Sequence, residues 1–91
     1  MQAFTEIGDD EVLLMIKAKN LTGFSILYDR YSAAIYGTIY RDVTDLELAE
    51  NILQQCFINL WNNPFIEPKY TNRLLLWMLI IAKQATIKTL F

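Results

Sequence analysis

TDLELAENILQQCFINLW, residues 44–61, opens like a helix. Thr44 caps the first turn in this reading, and Glu47, three residues on, reaches back to the Thr44 amide. That is capping-box spacing, followed at once by an apolar run. Leu46, Ala49, Leu53, Cys56, Phe57 and Leu60 recur at steps of three and four, which places them on one buried face. The opposite face carries Glu47, Glu50, Asn51, Gln54, Gln55, Ile58 and Asn59. It is rich in amides, weakly charged, and has one aliphatic residue at its centre. The plain reading is a solvated face. The functional reading is a surface that docks another protein.

Upstream, Leu21 to Arg41 predicts a second long helix. Phe24, Leu27, Tyr28, Tyr31, Ile35 and Ile39 repeat at helical steps, and Gly37 inside it suggests a close approach by another helix. Arg41, Asp42 and Val43 form a short turn, so the two helices should pack antiparallel. Before them, Gly8, Asp9, Asp10 and Glu11 place acids at a helix N-terminus, where the dipole favours them. A short helix with Val12, Leu13 and Ile16 inward then runs to about Lys19. Asn20 stops it and caps the next, and residues 1–8 form a loose lead-in.

Downstream, NNPFIEPKYT (62–71) is a loop, because Pro64 and Pro68 exclude a regular helix. Phe65 and Tyr70 lie in it beside Lys69. They either tuck onto the bundle or stack on bases. The last helix starts near Thr71 or Asn72 and runs to the end. LLLWMLIIA (74–82) is apolar throughout but far short of the ~20 residues that span a bilayer. Its helix is either enclosed by protein or presents a sticky face to a partner.

The predicted architecture is all-α: one domain over residues 1–91, a compact antiparallel bundle of about four helices near 9–19, 21–41, 45–62 and 72–90. Its core should contain Phe24, Leu27, Tyr31, Leu53, Phe57, Leu60, Trp77 and Ile81. Ninety-one residues with 54% apolar content suit this. The pattern is still running at Phe91, which suggests a domain cut from a longer chain.

Composition narrows the chemistry. The chain has no His and a single Cys, Cys56, on the apolar face. Disulfide frameworks, Cys/His zinc clusters and His-based triads are excluded. There is no Gly-rich phosphate loop and no metal-ligand spacing, so neither enzyme chemistry nor a cofactor is expected. No basic, apolar signal-peptide pattern opens the chain, which predicts a cytoplasmic protein. The net charge of −2 conceals an asymmetry. Nine acids face four bases in residues 1–50, whereas residues 68–91 hold Lys69, Arg73, Lys83 and Lys88 with no acid. The basic end points to a polyanion.

Three ordered pieces, FSILYDRYSAAIYGTIYRDVTD, AENILQQCFINLW and LLLWMLIIAKQATIKTL, together resemble region two, the core helical domain of extracytoplasmic-function (ECF) RNA polymerase sigma factors. The likeness covers roughly Asp9 to Leu90. It implies an antiparallel helical bundle that takes part in transcription initiation as a promoter-specificity subunit. It implies that Glu47, Glu50, Asn51, Gln54, Gln55 and Ile58 dock on the clamp helices of the largest catalytic polymerase subunit. It also implies that the following loop and last helix hold the non-template strand of the minus-ten promoter DNA. Phe65, Lys69, Tyr70, Asn72, Arg73, Lys83, Gln84 and Lys88 fall in that region. An anti-sigma factor would be a further partner. Asn51 and Gln55 stand where the family usually has acids. Gln84 and Lys88 replace a usual Asn and Asp, Phe91 replaces a common Arg, and Lys69-Tyr70-Thr71-Asn72 stands for a frequent Arg-Gly pair. A second reading is a sigma-like helical interaction domain that has lost DNA binding. The small number of bases and the apolar last helix support it.

Overall fold

The structure, a computed structural model, describes residues 7–90. The lead-in over residues 1–6 and Phe91 lie outside the described residues. Four α-helices follow one another: α1 (Asp9–Lys17), α2 (Leu21–Val43), α3 (Leu46–Asn62) and α4 (Leu74–Leu90). A short 3-10 turn, Pro68–Tyr70, precedes α4. The described residues contain no strand, so the fold is an all-α bundle.

α1 starts with Asp9, Asp10 and Glu11 in its first turn, as the dipole favours, and buries Val12, Leu13 and Ile16. It stops at Lys17, two residues earlier than the sequence suggests. Lys19 turns left-handed (φ 61°), and that breaks the helix. The Asn20 side chain then accepts the Thr22 amide at 2.9 Å, capping α2.

α2 continues through Arg41 and Asp42 to Val43, so those residues are helix rather than turn. Thr44 is a correction. It is the left-handed residue (φ 54°) that ends α2, and its amide donates to the Tyr40 carbonyl. The cap of α3 is Asp45, whose carboxylate accepts the Leu48 amide at 3.0 Å. A side chain committed to closing one helix leaves the capping of the next to its neighbour. Two residues therefore join the long helices. Phe24 near the start of α2 meets Phe57 and Trp61 near the end of α3, so the pair is antiparallel.

α2 packs extensively on all three other helices, and α3 packs also on α4. Ile26, Leu27, Ile35 and Ile39 of α2 join Ala49, Ile52, Leu53, Cys56, Phe57 and Leu60 of α3 in the core. Leu74, Met78 and Ala82 of α4 complete it. Leu46 has the right angle for burial but stands at the first helical position and is 65% exposed. Phe24 and Tyr31, expected in the core, are half-buried at its rim. Trp77 and Ile81 are also half-buried. The buried stripe of α4 steps by four through residues 74, 78, 82 and 86, and they flank it.

The glycines exchange roles. Gly37 has nothing within 4 Å of where a Cβ would stand, so it permits no close approach. Gly37→Ala should raise the unfolding free energy by roughly 0.5–1 kcal/mol, because glycine in a helix interior costs conformational entropy. A urea melt checks this, and a loss of stability would contradict the open space seen there. The close approach is instead at Gly23, which is buried against α1.

Candidate functional site

The polar face of α3 is built by elimination. Six of its residues turn inward, and the remaining arc faces solvent. Glu47, Glu50, Asn51, Gln54, Gln55 and Ile58 are all exposed there, Ile58 at 48%. Glu47, Asn51, Gln54 and Ile58 share one narrow line along the helix by their spacing. The face is uncovered, aliphatic at one point and hydrogen-bonding elsewhere.

The second region lies where the end of α3, the loop and α4 meet. A groove of about 460 Å³ opens there. Its floor is Cys56, Leu60 and Met78, and its walls are Phe65, Trp77 and Ile81. Asn59, Asn62 and Asn63 supply amides along the lip. Pro64 holds the chain off the helix after Asn63, and Phe65 is left 58% exposed at the mouth. Burial pushes the Cys56 thiol up to about 11, so it is a poor nucleophile at neutral pH.

The 3-10 turn aims the next residues. Tyr70 packs on Trp77 with ring centroids 5.2 Å apart, and the Lys69 ammonium lies 5.4 Å over the Tyr70 ring. Thr71 donates its hydroxyl to the Pro68 carbonyl at 2.6 Å, and the Arg73 amide donates to the Tyr70 carbonyl at 2.8 Å. These bonds delay α4 to Leu74. Arg73 and Asn72 therefore precede the helix instead of lying on it, both exposed. The Arg73 carbonyl accepts the first helical bond, from Trp77. A cation at a helix N-terminus opposes the dipole, so this arginine is badly placed for stability alone.

The sequence-predicted strand residues thus separate into groups. Phe65 lines the groove, Tyr70 packs on the wall residue Trp77 with Lys69 over its ring, and Asn72 and Arg73 are exposed just ahead of α4. Gln84 and Lys88 are exposed further along α4, Lys88 about 22 Å from Arg73 by helical rise. Lys83 is diverted: its ammonium pairs with the Asp42 carboxylate at 2.6 Å. Sequence reasoning missed Trp77 as a wall and the three lip asparagines. The dense amide run Asn59, Asn62, Asn63 just before Pro64 is the signal that could have found them.

A third polar cluster has a structural role. Arg30 pairs with Asp9 at 2.8 Å and donates to the Ile7 carbonyl, while the Tyr31 hydroxyl donates to Asp9. Burial, then the Asp9 carboxylate, push the Tyr31 phenol up to about 12 despite Arg30 beside it. This clasp ties the start of α1 to α2. At the other end of α1, Lys19 donates to the Trp61 carbonyl and lies 4.9 Å over its indole.

Among the described residues no group of acids and cysteine could hold a metal, and no helix is long and apolar enough to cross a membrane. Compared with protein-family models, curated proteins and solved structures, the chain finds no match.

Proposed function

We propose that the chain is the amino-terminal domain of an ECF-type sigma factor, which docks on the RNA polymerase clamp helices and holds the minus-ten promoter strand. The carrying observation is the groove itself, with aromatic walls at Phe65 and Trp77 and amides on its lip; Lys69 and Arg73 lie in the exposed segment that leads from the loop into α4. An unstacked base needs a flat apolar wall and hydrogen-bonding edges, and its phosphates need cations outside. The uncovered amide face of α3 supports the docking half, as does the resemblance of the sequence.

The α3 face and the groove can be tested apart. Gln54→Lys with Ile58→Lys should abolish pull-down of core polymerase while far-UV circular dichroism stays unchanged. Lys69→Ala with Arg73→Ala should instead weaken binding of single-stranded promoter DNA and leave pull-down intact. With about three free cations the salt dependence of that binding should be shallow, a slope near −2 in log–log form. Undiminished pull-down by the first variant would move docking off α3. DNA binding indifferent to the second would remove the strand from the groove.

One observation favours the interaction-domain reading. Leu76, Ile87 and Leu90 lie exposed on α4, with half-buried Ile80 among them, and form an apolar stripe. Polymerase binding without any strand binding would support it.

A further inference from the structure

We infer that the outer stripe of α4 pairs with the same stripe of a second copy of this chain, antiparallel, about a two-fold axis at Lys83. Leu76, Ile80, Lys83, Ile87 and Leu90 follow one another at steps of four, three, four and three. That alternation is the spacing of a two-helix seam. On an ideal helix the five lie within about 80° of arc, turned away from Leu74, Met78 and Ala82. Leu76, Ile87 and Leu90 are 39%, 55% and 46% exposed. Ile80 is half-buried but stands outside the core cluster.

The second copy is indicated because the stripe is complementary to itself. A two-fold contact requires that if one residue meets another, the second also meets the first. Leu76 and Leu90 each stand seven residues from Lys83, and Ile80 and Ile87 stand three and four away. Turned end for end, Leu76 of one copy meets Leu90 of the other, Ile80 meets Ile87, and Lys83 meets its own counterpart. Opposed helix dipoles favour this direction over a parallel pair. Two lysines on an axis would repel, but each ammonium already holds the Asp42 carboxylate of its own chain at 2.6 Å. The axis then carries two acids and two bases, which attract across the contact. Asp42 lies in the last turn of α2, where an acid opposes the dipole, so its place is unfavourable for α2 alone. One helix face is smaller than the roughly 800 Å² per partner of a stable complex, so the pair is weak and forms at high protein concentration. Trp77 and Ile81 lie on another side of α4, so the groove stays open in the pair. The inference does not rest on the function proposed above.

The test is sedimentation velocity of the whole chain over a concentration series, with cysteine cross-linking. The mean mass should rise from one chain toward two. Ile80→Glu with Ile87→Glu should weaken association at least tenfold, and Asp42→Lys should also weaken it. Adding Lys83→Asp to Asp42→Lys should restore it. Circular dichroism unchanged in each variant would show the fold intact. Lys83→Cys, in an Asp42→Asn background that leaves no unpaired acid, should oxidise to a covalent dimer, and Lys88→Cys should not. The buried Cys56 does not compete, so the native chain is the blank. Leu76→Cys should cross-link to Leu90→Cys in a mixture, and neither to itself. A single-chain mass at every concentration would overturn the inference. So would association that survives Ile80→Glu with Ile87→Glu, because the contact would then lie off this stripe. Leu76→Cys joined to its own counterpart would overturn the antiparallel arrangement.

Discussion

Phe57→Ala should lower the unfolding free energy by roughly 3–5 kcal/mol, the usual loss for a buried aromatic truncated to alanine. Phe57 is 1% exposed and sits where α3 faces α2. Its ring meets Phe24 edge-on at 6.0 Å and Tyr28 at 4.8 Å. Truncation removes the transfer energy of the ring, leaves a cavity, and breaks both aromatic contacts. The two partners are half-buried and hinge on the same helix, so they cannot collapse fully into the space. A domain of this length has roughly 5–14 kcal/mol in total, so a large share would go. Chemical denaturation with circular dichroism checks it. A loss below about 1 kcal/mol would place Phe57 outside the core.

Gly23→Ala should also destabilise, by about 1–3 kcal/mol, although alanine is the better helix former. A Cβ at residue 23 would stand 2.5 Å from the Met15 Cβ and 3.3 Å from the Val12 carbonyl oxygen. Neither is the far end of a flexible side chain, so α1 itself must move off α2. That shift would disturb Val12 and Ile16, both fully buried. Gly37→Ala, the same substitution on the same helix, serves as the control because it should act with the opposite sign. The denaturant midpoint should fall for the first and rise for the second, with the slope unchanged in both. A gain at residue 23 would mean that α1 and α2 are not in contact there.

The fold was legible because the apolar pattern of each helix repeats at three and four over several turns. Such periodicity depends only on which residues avoid water, and α3 shows it: Ala49, Leu53, Cys56, Phe57 and Leu60 are buried as spaced. Proline and asparagine chemistry is equally local, so the loop at 62–71 and the Asn20 cap were readable too. The exposed amide face of α3 followed from the same pattern, as its complement.

What was not legible depended on groups far apart in sequence. α4 is apolar at every position from Leu74 to Ala82, so its pattern carries no phase. Only the packing of α2 and α3 against it decides that Leu74, Met78 and Ala82 turn inward while Trp77 becomes a groove wall. The two glycines look alike in sequence, and only the position of α1 separates them. Thr44 and Asp45 are both able to cap, and the choice falls to Asp45 because the end of α2 takes Thr44 for its left-handed turn. Likewise Lys83 reads as one cation among four until the end of α2 brings Asp42 to it. The sequence by itself determined the helices, the loop and one outward face, since hydrophobic period, proline and caps act within a few residues. The tertiary structure alone decided the groove, the close contact at Gly23 and the pairing of Lys83. Each of these needs atoms from helices whose relative placement no local pattern encodes.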